Sequence, residues 1–426
     1  MAADSPGKPS LVRGFTFHDR DDKEQIAKLA LSGMQLHGWA DLDVKDINVK
    51  EVSLSGGARV FKVSTEKAKP SAVALKSHAE SQQTDIASKR IEEASMVFSN
   101  AGLGPRRLAF GGDWHIEAWG GTIIANLFDE VDRTMYAELG RLLARIHQMP
   151  TDWYEPIRKM LCERIPAQAI LAEIPHGSHA WNGFALGLDN GMTFFGGVMD
   201  DEKARIGKDV FNYFVESGAF KAWIKADFFH PASELGKRVV TVHGDYKPNN
   251  VVKTEEGKVT AIDFDFTYVG LAAMDLAFCC HLWFTACGSS YAERFEFFEA
   301  YTKTCGLSGD EKEVRELMLD AEICKLGDWI GPFAFCGRDW TGPSAFAKEN
   351  HPLMFRGSDT MPSGMEWLQL CADFVKTVRA DTALRDEVID KGLLNCIRSH
   401  DDWKINQFYD WENTVTVDVI KKKSEE

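Results

Sequence analysis

Three polar side chains follow two short apolar runs in the middle of the chain. The run VVTV leads into HGDYKPNN, in which the carboxylate of Asp245 and the carboxamide of Asn250 stand five residues apart. Asp263 comes thirteen residues after Asn250, at the end of the run VTAI. A hairpin over residues 251–262 would return Asp263 to Asn250, because its second strand runs back to where the first began. We therefore expect these three side chains to lie together.

Oxygen-bearing side chains in this arrangement favour magnesium and phosphate chemistry. Mg²⁺ prefers a few protein oxygens completed by phosphate and water, and Asn250 and Asp263 would supply them. Asp245, on the same loop, would accept the proton of a hydroxyl that attacks a phosphate. A single aspartate in a turn more often only caps that turn. The prediction of phosphoryl transfer therefore depends on a phosphate-binding lobe elsewhere in the chain.

The N-terminal part of the chain has the parts of such a lobe. VSLSGGARVFKV predicts two strands around a turn of three small residues, where the backbone could approach phosphates closely: Ser55, Gly56 and Gly57. A third strand, SAVALK, ends at Lys76, which could pair with the α- and β-phosphates of a nucleotide. Glu92 or Glu93, on the helix predicted over 82–100, could hold Lys76 in place. Each feature alone has an ordinary structural explanation, but their order along the chain favours a nucleotide site.

The composition limits the classes of partner. The 426 residues carry 49 basic and 64 acidic side chains, a net charge of −15, which disfavours nucleic acid and anionic membranes. No apolar run of about 18 residues predicts a transmembrane helix, and MAADSPGKPS does not resemble a secretory signal. The nine cysteines are scattered without a Cys-x-x-Cys pair, which favours a reducing compartment and a cytoplasmic protein. The oligomeric state stays open.

Periodicity and turn residues predict a small strand-rich lobe followed by a larger helical lobe. Helices are predicted over 22–36, over 82–100 and in MYAELGRLLARIHQM, and a hairpin is predicted around Gly111 and Gly112. Residues 151–235 show no clear pattern, and residues 270–378 are mainly helical. We divide the chain into four parts: an N-terminal segment with one helix (1–44), a nucleotide-binding lobe (45–121), a catalytic and substrate-binding lobe (122–378) and a C-terminal extension (379–426).

The quoted segments resemble those of protein-kinase-like phosphotransferases of small molecules, which include choline and ethanolamine kinases and aminoglycoside phosphotransferases. HGDYKPNNVV is similar to their catalytic loop, and AIDFDFTYVGLAAMDLAF to their metal-binding segment and following helix. EEASMVFSNAGLGPRRLAFGGDWHIEAW resembles the choline-kinase helix, turn and hinge strands. The resemblance covers residues 45–378. It implies an α+β, bilobal protein-kinase-like fold, with ATP and Mg²⁺ as cofactors and a small hydroxyl-bearing molecule as substrate.

The resemblance also implies roles for individual residues of the loop and the metal segment. Asp245 would be the catalytic base, and Asn250, in the same catalytic loop, would hold Mg²⁺ together with Asp263. Asp265 is a further candidate ligand, although it could simply cap its turn. His243 and Asp275 would brace the catalytic loop rather than take part in the chemistry.

In the nucleotide-binding lobe, the resemblance assigns further residues to ATP. Lys76 and Glu93 would position the phosphates, which would approach the turn of Ser55, Gly56 and Gly57. Glu117 would lie near the adenine together with Trp119.

Two positions depart from the choline kinases. Gly244 and Lys247 stand where those enzymes carry Asn and Gln, and this is closer to the aminoglycoside phosphotransferases. Leu282 precedes Trp283 where choline kinases carry a glutamate that faces the cationic substrate. Because a quaternary ammonium depends on carboxylates and aromatic faces, the loss of this carboxylate weakens the prediction of choline. Other amino alcohols, sugars and aminoglycoside-like molecules remain candidates.

Two other classes of protein compete with this interpretation. AIDFDFT has the Asp-x-Asp-x-Thr shape of haloacid-dehalogenase-type phosphatases, but the downstream acidic pair of that class is missing and the N-terminal lobe would be unused. A pseudokinase scaffold that binds partners without turnover is the second alternative. The complete set of Lys76, Asp245, Asn250 and Asp263 argues against a scaffold, which needs none of them.

Overall fold

The fold combines an antiparallel sheet region with a mainly helical remainder, as seen in a computed structural model. The structure describes residues 10–11, 22–52, 59–78, 85–111, 113–125, 131–164, 218, 222–223, 225–254, 256–280, 284, 288–329 and 364–398. The strands are β1 (Ser10–Leu11), β2 (Asn48–Glu51), β3 (Arg59–Ser64), β4 (Ala72–Ser77), β5 (Arg107–Phe110), β6 (Trp114–Ala118), β7 (Thr122–Ile123), β8 (Val239–Val242), β9 (Val251–Lys253), β10 (Val259–Ala261) and β11 (Tyr268–Leu271).

Most of the helices follow the sheet region in the chain. The helices are α1 (Lys23–Met34), α2 (Asp85–Asn100), α3 (Tyr136–His147), α4 (Glu155–Arg164), α5 (Ala272–Cys279), α6 (Tyr291–Thr304), α7 (Glu311–Trp329), α8 (Gly364–Ala380), α9 (Thr382–Lys391) and α10 (Leu393–Arg398). Within the described residues, no helix is both long enough and apolar enough to cross a membrane.

The six-stranded sheet has the order β1-β5-β6-β4-β3-β2 and buries one face under α1. Side chains alternate along β4, so Val73 and Leu75 face the core shared with α1, and Lys76 faces the opposite side. Asp22 caps the N-terminus of α1, since its carboxylate accepts the N–H groups of Glu24 and Gln25. The polar face of the sheet therefore remains available to α2 and to residues 262–267, the metal segment, which contains Asp263 and Asp265.

Two small sheets carry the catalytic loop. Strand β8 pairs with β11, and β9 pairs with β10 on one edge and with β7 on the other. The hairpin predicted over 251–262 is therefore present. The larger lobe, expected to be helical and to begin at residue 122, begins instead with a strand, because Thr122 and Ile123 form β7. Two residues are too few for periodicity to reveal a strand, and their pairing with β9 lies far away in sequence.

The second hydrophobic core is built mainly by the helices of the C-terminal part. It contains Phe98 of α2, Leu142 of α3 and Phe297 of α6, and it extends to Val388 and Leu393 in α9 and α10. Residues 379–398 thus pack on the same core as the residues before them, and the boundary at 378/379 falls inside α8. The division of the chain into four parts stays a prediction.

Close packing of α3 against α6 depends on Gly140. A Cβ placed on Gly140 would lie 2.2 Å from the carbonyl oxygen of Phe297, which belongs to the backbone of α6 and cannot turn away. A glycine in the middle of a helix otherwise costs stability relative to alanine. Its presence in α3 is explained by the short distance between the two helix backbones.

We expect Gly140→Ala to destabilise the protein, although Gly→Ala in a helix usually stabilises it. Separating α3 from α6 should lower the free energy of unfolding by about 1–3 kcal/mol, the usual cost of overpacking. Urea unfolding would measure the change. Arg141→Ala, on the exposed side of the same helix, is the control and should change stability by less than about 0.5 kcal/mol. A more stable Gly140→Ala protein would contradict the close contact.

Candidate active site

The catalytic loop begins where β8 ends, and Asp275 fixes its first residues. The carboxylate of Asp275 accepts the backbone N–H of His243 at 2.7 Å and that of Gly244 at 3.0 Å. Gly244 has a φ of +78°, and a Cβ there would lie 2.2 Å from the carbonyl oxygen of Phe266. The turn therefore needs glycine, both for its left-handed conformation and for its space. The bracing predicted for Asp275 has a direct structural counterpart in these two hydrogen bonds.

Asp245 lies in a buried, hydrogen-bonded position at the tip of this turn. Its Oδ2 accepts hydrogen bonds from Asn250 Nδ2 at 2.7 Å and lies 2.7 Å from Lys247 Nζ. Asn250 Nδ2 also donates to the backbone carbonyl of Asp245 at 2.9 Å. Both contacts hold the carboxylate in one orientation. The amide nitrogen of Asn250 is thereby occupied, which leaves its carbonyl oxygen Oδ1 for another ligand.

The burial of Asp245 changes its acidity. Loss of solvation and the nearby charge of Asp263 raise the pKa of Asp245 to about 7, and they outweigh the opposing effects of Lys247 and Asn250. A carboxylate with a pKa near neutrality is a far better proton acceptor than an ordinary aspartate. Asp245 is therefore suited to accept a proton from a hydroxyl group.

The hairpin of β9 and β10 brings the metal segment next to the catalytic loop. Ala261 pairs with Val251, and the backbone N–H of Ile262 donates to the carbonyl oxygen of Asn250 at 2.9 Å. Asp263 follows immediately and has a φ of +66°, which is unusual for a residue other than glycine. The structure thus brings Asp263 beside Asn250, as the hairpin predicted.

Lys76 lies opposite the two aspartates of this segment. Its Nζ is 2.6 Å from Asp263 Oδ1 and 2.6 Å from Asp265 Oδ2. Burial alone would lower the pKa of Lys76, but the two carboxylates outweigh it and the pKa lies above its usual value. This pair of contacts connects the sheet of the N-terminal lobe directly to the metal segment, across 187 and 189 residues of chain.

The structure does not bring Glu93 to Lys76, because both hydrogen bonds of Lys76 go to Asp263 and Asp265. Glu93 is half-buried and Glu92 is exposed on α2. The helix α2 instead reaches the metal segment through Arg90, which is fully buried and donates to the carbonyl oxygen of Thr267 at 3.3 Å. Among the described contacts, the Lys76 ammonium group is paired with two nearby carboxylates rather than with Glu93, and the role of Glu93 at the nucleotide stays a prediction.

Glu117 lies on the same face of the sheet as Lys76. Across the ladder of β4 and β6, His115 stands opposite Lys76, and Glu117 stands two pairs further along, opposite Ala74. Glu117 Oε1 lies 3.5 Å from Arg107 Nη2 and 3.3 Å from His115 Nε2. Glu117 thus has two cationic or proton-donating neighbours behind it, and its side chain is 12% exposed. Its predicted role at the adenine stays a prediction.

Several residues of this region carry no strong sequence signal. Arg107 is buried, and its guanidinium donates to Ser95 of α2. His115 Nδ1 lies 2.9 Å from His78 Nε2, and burial holds the pKa of both imidazoles well below the usual value. Lys247 was visible within the loop motif, two residues after Asp245, but nothing in the motif indicated its contact with that carboxylate.

The oxygen atoms of this site fit a magnesium ion. Within the described residues, no group of three or more His, Cys, Asp or Glu side chains is placed to hold a metal on its own. Asn250 Oδ1 and the carboxylates of Asp263 and Asp265 form a smaller set of hard oxygen donors. Such a set suits Mg²⁺, which takes its remaining ligands from phosphate and water. The predicted turn of Ser55, Gly56 and Gly57 lies outside the described residues, as do Leu282 and Trp283.

Comparison with known proteins identifies the class of this site. The model of the phosphotransferase enzyme family matches residues 57–317, and the chain belongs to that family. Among solved structures, an ethanolamine kinase from Plasmodium vivax is similar at 14% identity, with 88% of this chain and 93% of that chain covered and a TM-score of 0.52. This likeness confirms the α+β, bilobal kinase-like fold. A comparison with curated proteins finds no match.

Two further structures share the likeness at lower TM-scores. A choline kinase from Cryptosporidium parvum is 14% identical, with 88% of this chain and 98% of that chain covered and a TM-score of 0.45. A macrolide 2′-phosphotransferase from Brachybacterium faecium is 15% identical, with 77% and 98% covered and a TM-score of 0.41. The match to the phosphotransferase family model over residues 57–317 confirms the predicted membership of the small-molecule phosphotransferases.

The contacts of Lys76 predict which of its neighbours are energetically coupled to it. In double-mutant cycles of unfolding in urea, Lys76→Met and Asp265→Asn should show a coupling of about 0.5–3 kcal/mol, because each leaves the other's charge buried without its partner. Lys76→Met and Glu93→Gln should be additive within about 0.5 kcal/mol. Strict additivity with Asp265, or strong coupling with Glu93, would show that a different arrangement of charges prevails in solution.

Proposed function

We propose that the chain is a Mg-ATP-dependent kinase that phosphorylates a hydroxyl group of a small molecule. The observation that carries the proposal is the environment of Asp245. This carboxylate is buried, fixed by Asn250 and Lys247, and has a pKa of about 7. It lies in the same site as the ion pair of Lys76 with Asp263 and Asp265. A cytoplasmic location is part of the proposal.

Asp245 serves as the proton acceptor of the reaction, and other residues bind the phosphates. Asp245 accepts the proton of the acceptor hydroxyl as its oxygen forms a bond to the γ-phosphorus. The bond from this phosphorus to the bridging oxygen breaks, and ADP leaves with the electron pair. Lys76 pairs with phosphate oxygens, and Asn250, Asp263 and Asp265 would hold Mg²⁺. When bound, the ion offsets negative charge on the phosphates.

Lys247 and Asn250 keep the base oriented and ionised. Both side chains hydrogen-bond or ion-pair with Oδ2 of Asp245, so Oδ1 is the oxygen left for the proton of the substrate. Their charge and hydrogen bonds favour the ionised carboxylate against the cost of burial. The same contacts limit rotation of the carboxylate, which places the proton acceptor before the substrate arrives.

Release of ADP from Mg-ATP in the presence of a panel of small hydroxyl compounds tests the function. The panel should include amino alcohols, sugars and aminoglycosides, since the chemistry of Asp245 does not distinguish among them. We expect at least one acceptor to raise ADP release above the rate with water alone. Nucleotide binding without turnover on any acceptor would instead support the scaffold alternative.

With an acceptor in hand, Asp245→Asn should lower kcat by about 10²–10⁴-fold, the usual contribution of a positioned general base. The variant retains the shape of the side chain, so its melting temperature and nucleotide affinity should remain close to those of the unmodified protein. Asp41→Asn, at an exposed aspartate of the N-terminal segment, is the matched control and should leave kcat unchanged. A kcat of Asp245→Asn within a few-fold of the original would remove Asp245 from the role of base.

Choline should be a poor acceptor. Leu282 occupies the sequence position at which choline kinases carry a carboxylate, and a desolvated ion pair of this kind contributes about 1–3 kcal/mol, or tenfold to a hundredfold in specificity. We therefore expect kcat/KM for choline to be at least about tenfold below that for the best acceptor. Leu282→Glu should raise the value for choline. Efficient use of choline by the unmodified protein would show that another acid serves the ammonium group.

A further inference from the structure

A buried chain of hydrogen bonds runs from α6 to the catalytic loop. The hydroxyl of Tyr301 lies 2.7 Å from His147 Nδ1, and His147 Nε2 lies 3.0 Å from Asp275 Oδ2. The same Asp275 accepts the backbone N–H groups of His243 and Gly244, the two residues that directly precede the candidate base Asp245. Tyr301, His147 and Asp275 are all buried. Among the described residues, no hydrogen bond or ion pair joins any of the three to Asp245 or Asp263.

In this series of hydrogen bonds, one arrangement of the protons satisfies every donor and acceptor without placing a second charge in the interior. Asp275 accepts the backbone N–H groups of His243 and Gly244, and hydrogen bonds of this kind favour the ionised form of a buried carboxyl group. Its ionised carboxylate can only accept, so His147 Nε2 must carry a proton. A neutral imidazole then has a bare Nδ1, and Tyr301 must donate its hydroxyl proton to it.

The alternatives are less favourable. A proton on Nδ1 alone would turn the lone pair of Nε2 toward the carboxylate of Asp275 at 3.0 Å. An imidazolium would pair with Asp275 as a second buried charge, and Tyr301 would then accept from Nδ1 rather than donate to it. The sulfur of Cys305 is a second neighbour of the Tyr301 hydroxyl, but sulfur is a weak acceptor and a bare imidazole nitrogen a strong one, so the hydroxyl proton goes to His147.

We propose that Tyr301 is a positioning residue, whose hydroxyl fixes the Nε2–H tautomer of His147 and thereby the contact of Asp275 with the two amides that present Asp245. The inference rests on the proposed function for its catalytic consequence. Its structural part does not, because tautomer and amide protection exist without substrate. Tyr301 lies 154 residues from His147 in the sequence. Its hydroxyl group therefore links the packing of α6 to the position of the catalytic loop.

The tautomer can be measured directly in the unmodified protein. Long-range ¹H–¹⁵N correlation spectra of ¹⁵N-labelled histidine distinguish a protonated from a bare ring nitrogen, and the spectrum of His147→Asn identifies the His147 signals among the 12 histidines. We expect a bare Nδ1 and a protonated Nε2. A proton on Nδ1, whether alone or together with one on Nε2, would overturn the proposal.

Tyr301→Phe then removes only the hydroxyl group. We expect the His147 signals to change to a mixture of tautomers, and the amides of His243 and Gly244 to exchange with D₂O about threefold to tenfold faster, the range that corresponds to one hydrogen bond. With an acceptor known, kcat should fall by a similar factor of about three to ten while KM for ATP stays within about twofold.

Tyr291→Phe is the matched control, because Tyr291 lies on the same helix and its hydroxyl accepts a hydrogen bond from Arg315 near the surface. It should leave the His147 spectrum, amide exchange and kcat unchanged. If Tyr301→Phe changes neither the tautomer nor the exchange of the two amides, Tyr301 only packs, and the proposal fails. If both change while kcat does not, Tyr301 positions the loop without catalytic effect, which also overturns it. Absence of turnover in the unmodified protein would instead refute the proposed function.

Discussion

The ion pair of Lys76 with Asp263 and Asp265 is the contact on which the architecture of the site depends. It joins the end of β4 in the N-terminal lobe to the metal segment, which follows the hairpin of β9 and β10 in the other lobe. The side chains of Lys76 and Asp265 are 11% and 5% exposed, so neither charge can be left without the other at low cost. The relative position of the sheet and the metal segment is therefore constrained by charge as well as by packing.

Two buried aspartates of the same site show how hydrogen bonding decides the acidity of a carboxylate. Asp245 and Asp275 lose comparable contact with water, which by itself would raise the pKa of both. Asp275 accepts two backbone N–H groups and a bond from His147, and its pKa falls. Asp245 has Lys247 and Asn250 but also the negative charge of Asp263, and its pKa rises. One carboxylate is thereby suited to hold a loop and the other to accept a proton.

The sequence predicts the local parts of the site much better than the contacts between them. Asp245, Asn250 and Asp263 could be placed together because a loop and a hairpin of known length connect them. The partners of Lys76 could not, since they lie 187 and 189 residues away and Glu93, one helix further along, was an equally reasonable choice. The same holds for the strand at Thr122 and for the bond between Tyr301 and His147. Periodicity describes which face of an element is buried, but not against which distant residue it packs.

The helix α2 packs on the core of the larger lobe and is hydrogen-bonded to the sheet of the N-terminal lobe. Phe98 lies in the large core and stacks on Phe264 of the metal segment at 4.0 Å between ring centroids, and Arg90 donates to Thr267 at the end of that segment. Ser95, on the same helix, accepts from Arg107 of the sheet. A displacement of α2 would thus strain the contacts at Phe264 and Thr267, next to Asp263 and Asp265, together with the contact to the sheet. Because neither Glu92 nor Glu93 contacts Lys76, the aromatic stack and the Arg90 bond, rather than a lysine–glutamate pair, couple this helix to the metal segment.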